Sequence, residues 1–221
     1  MRRIFVAILA LAGTVGLAVA TAPATARRPP RSPATRLTAA ANPAVVTFGQ
    51  STTVSGKLSR PSNGGITVAL AQDPFPYGNG FLPLAQGTTA NNGNYAFRLL
   101  PASTTNYRVT SAGLTAFTGA RVRSRVTLGV SDTTPARRQF VRFFGSVAPR
   151  HDGGTVLIQR QAPTGGWSTV RRTLLRHTSI GNRSLYSTRM RVPRTANYRA
   201  RFPADGFNLT GTSATRTLTV H

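Results

Sequence analysis

From residue 36 onward, apolar and polar side chains alternate with a period of two. Val54, Gly56 and Leu58 alternate with Thr53, Ser55 and Lys57. Val122, Ser124 and Val126 alternate with Arg121, Arg123 and Arg125, and Tyr198, Ala200 and Phe202 with Arg199 and Arg201. Successive side chains of a strand point to opposite faces, so this alternation predicts strands with one buried face. Turn-forming clusters separate them: Pro61-Ser62-Asn63-Gly64-Gly65, Asn91-Asn92-Gly93-Asn94, His151-Asp152-Gly153-Gly154 and Gly181-Asn182. After residue 26 no long stretch keeps a helical period. Short strands with turn signals every ~8–12 residues predict an all-β fold built as β-sandwiches.

The pattern occurs twice. Arg36-Leu37-Thr38 returns as Arg125-Val126-Thr127, and Gly56-Lys57-Leu58 as Gly145-Ser146-Val147. Gly64-Gly65 returns as Gly153-Gly154, and Asn106-Tyr107-Arg108 as Asn197-Tyr198-Arg199. The common order and near-constant offset predict two tandem units, residues 36–125 and 126–221, with almost no linker between them. The first unit has an insertion, Ala71 to Gly80, that is shorter in the second.

Each unit resembles the immunoglobulin-like or fibronectin-like domains of secreted bacterial proteins. The resemblance rests on Gly56, Pro61, Gly64-Gly65, Phe81, Gly93, Tyr95 and Tyr107-Arg108. In the second unit it rests on Gly145, Pro149, Gly153-Gly154, Trp167, Gly181, Tyr186 and Tyr198-Arg199. It implies two tandem Ig-like β-sandwich domains, with Tyr107 and Tyr198 where such folds often carry a tyrosine corner. It places Phe81 and Trp167 at the opening of a middle strand; the plain reading of these two rings is that they pack inward. Some secreted enzymes that cross-link wall peptides carry similar sandwiches as appendages, with their catalytic cysteine in a separate domain.

The N-terminus reads as a targeting segment. Arg2 and Arg3 precede an uncharged apolar run from Ile4 to Ala20, and Ala24-Thr25-Ala26 forms a small-residue cleavage site. A signal peptide over residues 1–26 is expected, followed by a basic, proline-rich linker over 27–35. The apolar run falls short of the ~20 residues of a membrane span, so no transmembrane anchor is expected in the mature chain, which would be secreted.

Charge changes the picture most. The chain has 28 Lys and Arg against 4 Asp and Glu, a formal net charge of +24, and no Cys. Loss of Arg2 and Arg3 with the leader would leave about +22. This composition excludes disulfides, thiolate metal sites and cysteine nucleophiles, and leaves little for paired-carboxylate hydrolysis. Asp73, Asp132, Asp152 and Asp205 lie far apart in the sequence near turn signals and are expected to cap turns. No nucleophile elbow or phosphate-binding glycine loop is present. His151 is expected to be a solvated turn residue. No cofactor or metal is expected.

The arginines therefore carry the candidate chemistry. Arg121, Arg123 and Arg125 form one row; Arg189 with Arg191, and Arg199 with Arg201, form shorter ones; Arg171 and Arg172 are adjacent. Guanidinium groups bind oxyanions in forked geometry, so these rows suit anionic polymers such as wall phosphodiesters or acidic glycans, bound without sequence-specific nucleic-acid reading. The expected function is that of a non-enzymatic structural or adhesive protein of the cell envelope, held electrostatically to such polymers. An alternative is a carbohydrate-binding module in which Phe75, Tyr77 and Phe81 form an exposed aromatic loop.

Overall fold

The computed structural model describes residues 34–221. The expected signal peptide and nearly all of the proline-rich lead lie outside the described residues. Two β-sandwiches follow in series, each with its own core. No helix among the described residues is long and apolar enough to cross a membrane.

The first sandwich comprises β1 (Arg36–Leu37), β2 (Ala40–Asn42), β3 (Val45–Thr47), β4 (Thr52–Ser59), β5 (Thr67–Pro74), β6 (Leu82–Thr88), β7 (Asn94–Leu99), β8 (Thr105–Ser111) and β9 (Leu114–Arg123). In one sheet β1 and β2 both pair with one edge of β4, and β7 pairs with the other. The facing sheet runs β3-β9-β8-β5-β6, with β3 parallel to β9. The first strand thus changes sheets after Asn42, the arrangement of an Ig-like sandwich.

The second sandwich comprises β10 (Arg125–Val126), β11 (Gly129–Val130), β12 (Phe140–Ala148), β13 (Thr155–Gln161), β14 (Trp167–Leu174), β15 (Ser184–Arg191), β16 (Ala196–Phe202), β17 (Gly211–Thr212) and β18 (Arg216–Leu218). β10 and β11 pair with β12, which pairs with β15 on its other edge. The facing sheet runs β14-β13-β16, with β17 and β18 both on the far edge of β16. The repeat read from the sequence is therefore a repeat of topology.

The period-two pattern selects the inner faces. Val54 and Leu58 on β4, Val122 on β9, and Tyr198 and Ala200 on β16 are fully buried, while Arg121, Arg123 and Arg125 remain exposed. Burying a Val or Leu side chain stabilises the fold by ~1.5–3 kcal/mol, so the alternation alone drives the two sheets of each unit together.

The sandwiches meet through the connection between β16 and β17. Leu209 N donates to Val122 O at 2.7 Å and Ser124 N to Leu209 O at 3.1 Å. Thr104 N donates to Phe207 O at 2.8 Å. Asn208 is buried, and its amide points at the carbonyls of Ala102 and Val122. Pro74 ends β5, and Phe75 beyond it stacks edge-on against Phe207, with centroids 4.9 Å apart. Ala71 to Pro74 of the insertion are strand, and the turn that follows leans on the neighbouring sandwich.

Candidate functional site

The candidate arginines fall on three surfaces. Arg121 and Arg123 sit on β9, but the strand breaks at Ser124 and Arg125 begins β10 of the other sandwich. The row expected along one strand is thus split by the junction, and Arg123 donates across it to Thr210 O at 3.2 Å. Arg189 and Arg191 project from the outer face of β15, where Arg189 stands opposite Arg142 and Arg191 opposite Phe140. The Arg191 guanidinium lies 4.9 Å from the Phe140 ring centroid.

Arg199 and Arg201 lie on the outer face of β16, half-buried rather than fully solvated. Arg199 donates to Gln159 Oε1 at 2.9 Å and stacks 4.1 Å from the Trp167 centroid. Desolvation, and then the neighbouring Arg201 charge, draw its pKa downward. Of the adjacent Arg171 and Arg172 at the β14 edge, Arg171 donates to Thr188 Oγ1 at 3.1 Å and Arg172 shares a register row with Leu157 and Arg201.

The aromatic residues depart from expectation. Trp167 does not pack inward but lies outside the sheet beneath Arg199. Phe81 does the same in the first unit, 4.9 Å from Arg108 and 5.7 Å from Phe117. The inner layer is filled by Tyr107 and Tyr198, and the ring at or just before the start of the third long strand of each unit lies outside. Nor do Phe75 and Tyr77 form a free tip: Phe75 seals the junction and Tyr77 packs edge-on against it at 5.3 Å.

The tyrosine that ties back to the chain is also a different one. Tyr198 Oη is buried without a hydrogen-bond partner among the described residues, so no corner forms there. Instead Tyr186 donates to Thr127 O at 2.6 Å, and Tyr95 donates to Thr38 O. Burial pushes the Tyr95 phenol up to about 12 and holds that of Tyr186 well above its ordinary value.

Two histidines and two aspartates converge at one end of the second sandwich, although the sequence separates them. His151 Nε2 lies 2.7 Å from Asp205 Oδ2, and its Nδ1 lies 2.7 Å from Pro149 O. His177 Nδ1 lies 2.8 Å from Asp152 Oδ2, while Ser184 donates to the other oxygen of Asp152. His151 is not solvated: its side chain is 9% exposed and packs on Phe202. The Ser184 bond, followed by that of His177, holds the Asp152 carboxyl below its ordinary range.

A nucleophilic serine needs a base to take its proton. Here Ser184 is fully buried, donates to a carboxylate and accepts from His151 N at 2.9 Å. The cluster pins three connections together and presents no serine nucleophile. Asp132 caps its turn as expected, accepting from Thr134 N at 2.8 Å. Among the described residues, the two His–Asp contacts are the only ion pairs, and no arginine is paired with an acid. No group of metal-ligating side chains forms among them.

No protein-family model matches the chain, and no curated protein is similar to it. Among solved structures, the chain is similar to a tetra-tandem repeat from the extending region of a large adhesion protein. That likeness has 15% identity and a TM-score of 0.35, over 84% of this chain and 49% of that one. The chain spans about half the length of that structure. It is also similar to the teleost fish polymeric Ig receptor ectodomain, at 10% identity and a TM-score of 0.35, over 84% of this chain and 98% of that one.

Proposed function

We propose that the chain is a secreted, non-enzymatic structural or adhesive module of the cell envelope, held to anionic polymers by arginines that have no internal counter-charge. One observation carries this reading: Asp152 and Asp205 are engaged by histidines, Asp132 caps its own turn, Asp73 lies on β5, and no arginine among the described residues has a carboxylate partner. Like charges on a shared face repel, and a polyanion relieves that repulsion while releasing its own counterions. The buried, carboxylate-bound Ser184 supports the non-enzymatic part. The cell-envelope part extends the resemblance of each unit to sandwich domains of secreted bacterial proteins.

The test is retention on an anionic wall polymer, a neutral glycan and duplex DNA across a salt series. Affinity for both anions should fall steeply between 50 and 200 mM salt, by at least ~10-fold, with no retention on the neutral glycan. Retention on neutral glycan that persists in high salt and is lost in Tyr77→Ala would favour sugar stacking on the aromatic loop instead.

A further inference from the structure

The outer face of the β12–β15 pair holds a groove of about 680 Å3, within the range of small-molecule sites. Gly145 and Tyr186, directly opposed in register, form its floor. Arg142 enters from β12, and Arg176, His177 and Arg183 enter from the connection between β14 and β15. No acid lines it. The carboxylate bonded to its rim, Asp152, is already held by Ser184 and His177.

Arg142 is pre-positioned. Its guanidinium lies 4.8 Å from the Phe144 centroid. The same ring lies close against Gly129, where an added Cβ would stand 2.8 Å from its edge atoms. Stacking holds the guanidinium plane while leaving its in-plane donors free for an oxyanion. Phe144 and Leu185 add partly exposed apolar surface beside the cations.

The duplication supplies a comparison within one molecule. The first sandwich has the same groove, of about 690 Å3, over Gly56 and Tyr95. Registers coincide: Ser55 faces Ala96 and Gly56 faces Tyr95, as Phe144 faces Ser187 and Gly145 faces Tyr186. Ala90 N donates to Asn94 O at 2.8 Å, as Arg176 N does to Leu185 O at 2.7 Å. Arg176 therefore stands in the place of Ala90, Phe144 of Ser55 and Leu185 of Asn94. The first groove is lined without a single charge.

We infer that the groove of the second sandwich is a discrete binding site for an oxyanion, phosphate or carboxylate, borne on a sugar-sized unit. Arg142, Arg176 and Arg183 supply the donors, and Phe144 and Leu185 flank the carrier. The inference rests on the polyanion reading only in expecting an anionic ligand.

The experiment is an amide-resonance titration of the whole protein, at fixed ionic strength, with inorganic phosphate, glycerol 3-phosphate, glucuronic acid and neutral glucose. Saturable shifts at Gly145 and Tyr186, absent at Gly56 and absent with glucose, are expected. The double variant Arg142→Gln/Arg183→Gln should lose at least ~10-fold in affinity, the value of about 1.4 kcal/mol. Arg137→Gln/Arg194→Gln removes equal charge from exposed positions outside the groove and should leave small-anion affinity unchanged. The glycerol 3-phosphate and glucuronic acid arms tell phosphate from carboxylate. Unsaturable shifts, or equal loss in both double variants, would overturn the site. If polymer retention survives that outcome, the broader reading stands without the groove; if retention fails as well, both fall.

Discussion

At the scale of single residues, the most constrained positions are Gly56 and Gly145. A Cβ at Gly145 would lie 2.1 Å from Thr127 O and 2.8 Å from Tyr186 Oη; one at Gly56 would lie 1.8 Å from Thr38 O. Both clashes are with backbone that is itself fixed by a tyrosine hydrogen bond, so neither can yield cheaply. Gly145→Ala should therefore destabilise the second sandwich by about 2 kcal/mol or more, read from denaturant midpoints. Tyr186→Phe, which only frees the Thr127 carbonyl, should cost about 1 kcal/mol. If Gly145→Ala proves neutral, the close approach of the two strands is not as described. The repeated glycine and tyrosine were visible in the sequence, but their partnership was not. It forms across β12 and β15, and nothing in the linear order says which tyrosine hydroxyl turns back.

At the scale of strands, alternation was a reliable guide to inner faces and a poor one to the outer. Val54, Val122, Tyr198 and Phe202 went inward because burial of apolar area decides those positions. Trp167 and Phe81 did not, because a ring over a guanidinium on the solvent side competes well with a place in a core already filled by tyrosine. Likewise Arg142, in the run Phe140-Val141-Arg142-Phe143-Phe144, shares the outer face with two aromatic rings; the alternating ring, cation, ring was the one signal that could have singled it out. Arg176 and Arg183 had no such mark, since a loop carries no period. Trp167 is the chain's single tryptophan, which makes the outer-face stack measurable. Arg199→Ala should red-shift its emission and cost about 0.5–1 kcal/mol. An unchanged spectrum would mean that the stack does not persist in solution.

At the scale of the whole molecule, the junction was the least legible part. It joins Asn208 to Ala102 and Val122, and Phe207 to Thr104, across sequence separations that no local pattern spans. The apolar, proline-bounded stretch Pro74-Phe75-Pro76-Tyr77 suggested an exposed loop because a contact with the other unit cannot be read from one unit's sequence. Buried Asn208 ties the two sandwiches through its side-chain Nδ2, which donates to the Ala102 and Val122 carbonyls that would otherwise lose a donor. The wild-type protein should unfold in a single calorimetric transition, and Phe75→Ala with Asn208→Ala should split it into two. The interface term lost should be about 2 kcal/mol or more, from a large aromatic contact and a buried amide together. A single unsplit transition in the double variant would show that the two sandwiches are coupled by other means.

The paired grooves over Gly56 and Gly145 give the molecule its own blank. With ionic strength and pH held fixed, two pockets of nearly equal size and matching backbone register, built into one chain, meet the same solution. Whatever moves the second without moving the first is then local chemistry, measured in a single tube against a reference that shares its concentration, temperature and history.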